Sequence, residues 1–249
     1  MSSTPGTDEP PARRRIRDDY LSDPAHGPLP ALLLALTVAT GIIDAVSVLG
    51  LGRVFVANMT GNVVFTGFAL AGAPGFALDA TLSALAGFLV GALAGGRVIT
   101  RWGAHRGKLL RNVTAVQLLL VLIALVITIL AGSPLSAVIR DLVIVLTAIA
   151  FGLQNSAARR LAVPDITTTV LTMTLTGVAA DLRSGNLRVA LRRALAVLAM
   201  LVGAIVGALL VLHADIPIAL GCAAVLIAVV MMTAALGSRT TAPWQAGRH

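Results

Sequence analysis

Long apolar runs interrupted only by short charged connections constrain this chain more than any other feature. Eight such runs follow one another, at about 30–51, 54–72, 79–99, 113–132, 137–156, 166–182, 189–212 and 216–236. A helix needs about 20 apolar residues to cross a hydrocarbon core of about 30 Å, and six of the runs meet that length without strongly polar interruption. The composition excludes the alternatives. Of 249 residues, 57% are hydrophobic and 12% charged, against about 25% charged in a soluble domain. That is too little charge to cover a soluble core, and it rules out a soluble enzyme, a disordered chain and a disulfide scaffold. The expected fold class is an all-α polytopic membrane protein with a single membrane domain over 29–236, between polar tails at 1–28 and 237–249.

The second and sixth runs differ from the rest. The second carries Asn58, Thr60, Gly61 and Asn62 at its start. The sixth carries Thr167, Thr168, Thr169, Thr172, Thr174 and Thr176, just after Pro164 and Asp165. The basic residues, 18 Arg and Lys108, decide how these two runs are used. If all eight crossed with the N-terminus inside, Arg97, Arg101, Arg106, Lys108, Arg111, Arg159 and Arg160 would lie outside, against the positive-inside tendency. If the second and sixth instead enter and leave on one side, only Arg53 lies outside, with Arg140 at the outer edge of a helix. A seven-span arrangement with the N-terminus outside is the remaining rival and strands four Arg outside. The sequence therefore predicts six spanning helices plus two short re-entrant or half helices, with both termini cytoplasmic. The net charge of +8 reads as this topological signal, and no nucleic-acid partner is expected. Residues 1–28, with five Pro, five acids and four Arg, read as a disordered tail.

The chain also repeats itself. Gly41-Ile42-Ile43-Asp44 resembles Gly152-Leu153-Gln154-Asn155, 111 positions on; Thr60-Gly61-Asn62 falls on Thr172-Met173-Thr174 at 112; Leu89-Val90-Gly91-Ala92 and Gly95 match Leu201-Val202-Gly203-Ala204 and Gly207 at the same offset. Repeat one is expected over about 30–132 and repeat two over about 137–236. Each holds three crossings, an odd number, so the second would be inverted relative to the first, with a site at their interface near the midplane.

Asp44 is the single carboxylate deep within an apolar run. A charge there is costly unless it faces a protein cavity or is neutralised. Two roles stay open: a proton or cation site, or a side chain that bonds the following loop or pairs with Arg53. In Ala57-Asn58-Met59-Thr60-Gly61-Asn62, Gly61 permits backbone angles closed to other residues, and Asn58, Thr60 and Asn62 offer polar groups to a wet cavity; the alternative is a polar cap that starts a helix. Asn155, Thr172 and Thr174 are the matching candidates in the second half. Gly91-x3-Gly95 and Gly203-x3-Gly207 are spacings for close helix packing. Cys222 is expected as a small core residue. The four His show no ligand spacing, and no nucleophile–base pair is visible, so neither catalysis, a metal nor a cofactor is expected.

Gly41-x2-Asp44, Phe55-Val56-Ala57-Asn58-Met59-Thr60-Gly61-Asn62 and Gly152-Leu153-Gln154-Asn155, followed by a Thr-rich stretch, resemble the YoaK-type family of bacterial integral membrane proteins over about residues 30–236. The resemblance implies an inner-membrane protein of about six spans and supplies no substrate. Similar proteins commonly read Thr-Gly-Thr in the second Thr-rich stretch; here Met173 stands in place of the glycine. The expected function is a small-solute transporter or channel, with a proton-coupled mechanism suggested by Asp44 alone. Its polar site would be built from Asp44, Asn58, Thr60, Gly61, Asn62, Asn155, Thr172 and Thr174. The alternative is a non-transporting scaffold or partner subunit. The expected partners are the lipid bilayer and a small polar solute or ion, with self-association left open.

Overall fold

The computed structural model describes residues 26–164, 171–238 and 243–245. Its described elements are helical: α1 (Leu29–Gly50), α2 (Met59–Leu70), α3 (Leu78–Trp102), α4 (Arg106–Ala131), α5 (Ala137–Leu161), α6 (Leu171–Arg183), α7 (Leu187–His213), α8 (Ile216–Gly237) and a short 3-10 turn, Pro243–Gln245. Six of them, α1, α3, α4, α5, α7 and α8, are 22 to 27 residues long and apolar enough to cross a membrane. The other two are short. At 1.5 Å per residue, the 12 residues of α2 and 13 of α6 reach about 18–20 Å, well under the thickness of a hydrocarbon core. This agrees with six spans plus two short helices, and the seven-span alternative lacks the helix it needs. Of the Thr cluster, Thr167, Thr168 and Thr169 lie outside the described residues, as do 1–25 of the expected N-terminal tail.

The ends of the bundle are set by loop contacts. At one end Trp244 packs against Gly27, Gly107 and Gly237, and Arg106 donates to the Leu161 carbonyl. At the other, Arg140 bonds Asp79 and Asp141 at 2.9 and 2.8 Å and lies beside Gly52. Of the described Arg and Lys side chains only Arg53 and Arg140 stand at the second end; the rest lie at or near the first.

Helix α1 is the most enclosed span. Its hydroxyls bond back to their own helix, Thr37 to Leu33 and Thr40 to Leu36, which makes them cheap in an apolar setting. Helix α1 packs chiefly on α7, and α3 chiefly on α5; α4 lies against α8; α4 also meets α5 as α1 meets α8; α2 rests on α3 as α6 rests on α7. Exchanging the first four helices for the last four leaves this pattern unchanged.

The same exchange holds at the level of single atoms. A Cβ on Gly41 would collide with the backbone of Met200 and Ala204, and one on Gly152 with that of Phe88 and Ala92; each neighbour is displaced by 112 positions. Gly203 faces the Val38 carbonyl as Gly91 faces that of Ile149, and Gly207 meets Ile42 and Ala45 as Gly95 meets Leu153 and Ser156. The glycines thus let two helix pairs, α1–α7 and α3–α5, touch backbone to backbone, where dispersion and Cα–H···O contacts replace the missing hydrophobic drive between helices in lipid. A buried polar chain ties a third partner to them: Gln117 of α4 donates to Gln154 of α5 at 2.6 Å, and Gln154 to Thr40 of α1 at 3.0 Å.

Two expectations change. Cys222 is exposed on the bundle surface, because lipid accepts a small apolar side chain as readily as a core does. Part of the expected C-terminal tail is packed, with Trp244 9% exposed. The glycine packing predicts that Gly203→Ala, which drives a methyl into Val38 backbone, destabilises the bundle by about 1–3 kcal/mol, the usual cost of overpacking. Gly221→Ala, with open space around it, should stay within about 0.5 kcal/mol. Thermal unfolding in detergent checks the ordering; equal effects would contradict the close contact.

Candidate functional site

The site begins with how the chain leaves α1. Gly52 and Arg53 take φ values of 96° and 59°, which reverses the chain and sends residues 54–58 back along α1 before α2 starts. Leu51, Val54, Val56 and Ala57 are buried, so their backbone needs partners within the protein. Asp44 supplies them. Its Oδ1 accepts from the backbone N–H groups of Val56 and Ala57 at 3.1 and 3.0 Å, and its Oδ2 accepts from the Asn58 side-chain amide. Three donors converge on a carboxylate that is 3% exposed. Arg53 is not its partner; that guanidinium lies by Gly75.

A second lock closes the same loop. Asn62 is fully buried; its Oδ1 accepts from Phe55 N–H at 2.8 Å and its Nδ2 donates to the Phe55 carbonyl at 2.5 Å. Gly61 corrects an expectation. It sits within α2 and is absent from the positive-φ glycines, so it is needed for space rather than for special backbone angles. A Cβ there would lie 2.5 Å from the Phe55 ring. Phe55 stacks on Phe65 at 5.8 Å, and Phe65 and Phe68 both meet Phe76, pinning the apolar side of α2.

The loop so held forms one wall of a cavity of about 560 Å³, lined by Ala57, Asn58, Met59, Thr60, Phe88, Ala92, Asn155, Ser156, Arg159 and Thr172. Its size falls in the range of about 300–1,000 Å³ typical of ligand pockets. Asn58, Thr60, Asn155 and Thr172, separated by up to 114 positions in sequence, are brought together here. Asp44 stands behind Asn58 and is not part of the lining; Asn62, Gly61 and the buried Thr174 are not part of it either. The lining comes from both halves of the chain and includes Met59 and Thr60 in the first turn of α2 and Thr172 of α6.

Sequence reasoning missed Arg159, the one charged side chain of the lining among the described residues, together with Phe88, Ala92 and Ser156. In the sequence Arg159 reads only as one more basic residue beside a loop. It lies four residues after Asn155, hence on the same face of α5, and that spacing was the available signal. Ser156 donates to the Ala92 carbonyl at 3.0 Å, so it also joins α5 to α3. Among the described residues no group of His, Cys, Asp and Glu is placed to hold a metal ion.

Residues 32–233 match the family model described as a protein of unknown function (DUF1275). Over 188 residues the chain is 33% identical to the UPF0700 transmembrane protein YoaK of Bacillus subtilis (strain 168), covering 72% of this chain and 82% of that protein. No solved structure matches. The chain therefore belongs to the DUF1275 family of integral membrane proteins.

The Asp44 geometry generates a stability prediction. Asp44→Leu strands the N–H groups of Val56 and Ala57 at about 1–3 kcal/mol each, and should lower thermal stability in detergent accordingly. Asp44→Asn keeps one acceptor for both N–H groups and, with Asn58 turned over, its second bond as well. It should be close to wild type. Equal losses in the two variants would contradict the bonding described.

Proposed function

We propose that the protein is a small-solute transporter or channel made of two inverted halves, with the cavity at their interface as its solute site. The observation that carries the reading is the convergence of Thr60 and Thr172, from the two short helices, with Asn58 and Asn155 on one polar, ligand-sized space. Three supports add to it. Each half contributes three long helices, so a related second half would enter from the opposite side. The glycine contacts exchange between halves at offsets of 111 and 112. Broken helices meeting at depth are the way many transport folds present backbone to a solute. In this reading the Arg-rich end, with both termini, faces the cytoplasm of a bacterial inner membrane, and the cavity opens toward that end beside Arg159.

Proton coupling is the finer part of the proposal. A proton taken up by Asp44 would turn one acceptor oxygen into a donor and require the Asn58 amide to turn over to accept from it, which would re-orient a side chain that borders the cavity. Arg159 is the charged group that borders the cavity itself. The rival reading, a scaffold in which polar residues only lock helices, draws support from the bonds of Asp44 and Asn62. It gives no role to Thr60 and Thr172.

A flux assay in proteoliposomes tests the reading with a panel of small radiolabelled solutes. Wild type should admit at least one solute above empty vesicles, and Ala92→Phe, which fills the cavity, should abolish that flux while the protein stays folded. Asp44→Asn should retain flux and lose its pH dependence. Flux unaffected by Ala92→Phe would place the route elsewhere, and no flux for any solute would favour the scaffold.

A further inference from the structure

The charge of the cavity says more than its size. Among the described residues the lining contains one ionic side chain, Arg159, and no carboxylate. Asp44, behind Asn58, has both oxygens committed to Val56, Ala57 and Asn58. Among the described residues Arg159 forms no ion pair; those present join Arg140 to Asp79 and Asp141, and Arg193 to Asp181.

The other groups at the wall do not offset this charge. The Asn58 side chain, at the N-cap position of α2, gives no capping bond, because its amide is turned onto Asp44. The first-turn N–H groups of α2 are therefore left without a side-chain acceptor at a place where Met59 and Thr60 border the cavity, and the positive end of the helix dipole adds to the field of Arg159 there. Thr60 and Thr172 bring hydroxyls and Asn155 an amide. An exposed guanidinium at the border of the cavity, beside neutral hydrogen-bonding groups and with no counter-charge among the described residues, is a seat for a carboxylate or phosphate group, which it can hold through two parallel N–H···O bonds.

We infer that the cavity takes a compact oxyanion, so that the solute of this protein carries a carboxylate or a phosphate held by Arg159. This inference rests on the transport reading for its word "solute" and on Arg159 for its chemistry, and the two parts can fail separately. The neighbouring Arg160 provides an internal control: it lines a different, smaller hollow with His26 and Arg106, so its loss changes net charge by the same amount without touching the cavity.

The test measures thermal stabilisation of the purified full-length chain in neutral detergent by lactate, inorganic phosphate, glycerol and choline, with phosphatidylglycerol as a separate arm. Lactate or phosphate should stabilise wild type and Arg160→Gln. Arg159→Gln should weaken that binding by about ten-fold or more, as expected for a lost charged hydrogen bond, and Arg159→Lys should fall between. Stabilisation by glycerol or choline alone would overturn the oxyanion assignment, as would equal effects of the two Gln variants. Stabilisation by phosphatidylglycerol without either soluble anion would make the site a lipid-headgroup seat and overturn the solute. The same probes in proteoliposomes separate the two layers. Anion binding through Arg159 without flux would leave the oxyanion site standing and sink the transport reading. Glycerol flux without anion binding would do the reverse.

Discussion

A stretch of non-helical backbone at membrane depth has no water to bond with, and residues 51–58 are such a stretch. The cavity depends on how their N–H groups are satisfied. Asp44 does this from within α1: one oxygen takes two successive backbone N–H groups, and the other takes the Asn58 amide. The charge that makes Asp44 expensive in an apolar helix is what makes it a strong acceptor for three donors. Asn62 then ties the loop to α2 by bonding both backbone groups of Phe55. With the loop fixed at both points, α2 starts partway down the bundle, and Met59 and Thr60 meet residues of α5 and α6 across open space.

The surrounding frame is rigid for a different reason. Between α1 and α7, and between α3 and α5, glycines remove the side chains that would keep the backbones apart. The contacts are short, numerous and unable to yield without moving whole helices. This gives two tight helix pairs, and one of them borders the cavity, through Phe88 and Ala92 of α3 and through Asn155, Ser156 and Arg159 of α5. The polar chain Gln117–Gln154–Thr40 crosses the same region and holds α4 to the two pairs, so the wall behind Asn155 is braced by hydrogen bonds as well as by packing.

Much of this was legible in the sequence, because length and charge placement act locally. The six spans follow from apolar length, and the short second and sixth helices follow from Asn58, Thr60 and the Thr-rich stretch together with the distribution of Arg. The glycine spacings were legible as close contacts. What was not legible depends on which way a side chain points. Cys222 looked like core because an apolar residue in a lipid-facing helix carries no mark of its exposure. Gly61 looked like a backbone device, whereas its role is to admit the Phe55 ring. Asn62 looked like a lining residue and proved to be a bracket, a distinction that spacing alone does not carry. Arg159 was hidden by a rule about topology that treats every loop-proximal Arg alike.

The account stands on Thr60 and Thr172 facing one water-accessible space reached from the Arg-rich end. Thiol labelling tests this directly. In a Cys222→Ala background, Thr60→Cys, Thr172→Cys and Val63→Cys are exposed in turn to a membrane-impermeant reagent on each side of sealed vesicles. Val63 lies on the outward face of α2 and should be shielded by lipid. Labelling of both Thr positions from the Arg-rich side, with Val63→Cys unreactive from either side, is the result predicted. Thr60→Cys and Thr172→Cys labelling from opposite sides, or reacting no faster than Val63→Cys, would contradict a shared cavity between the two halves.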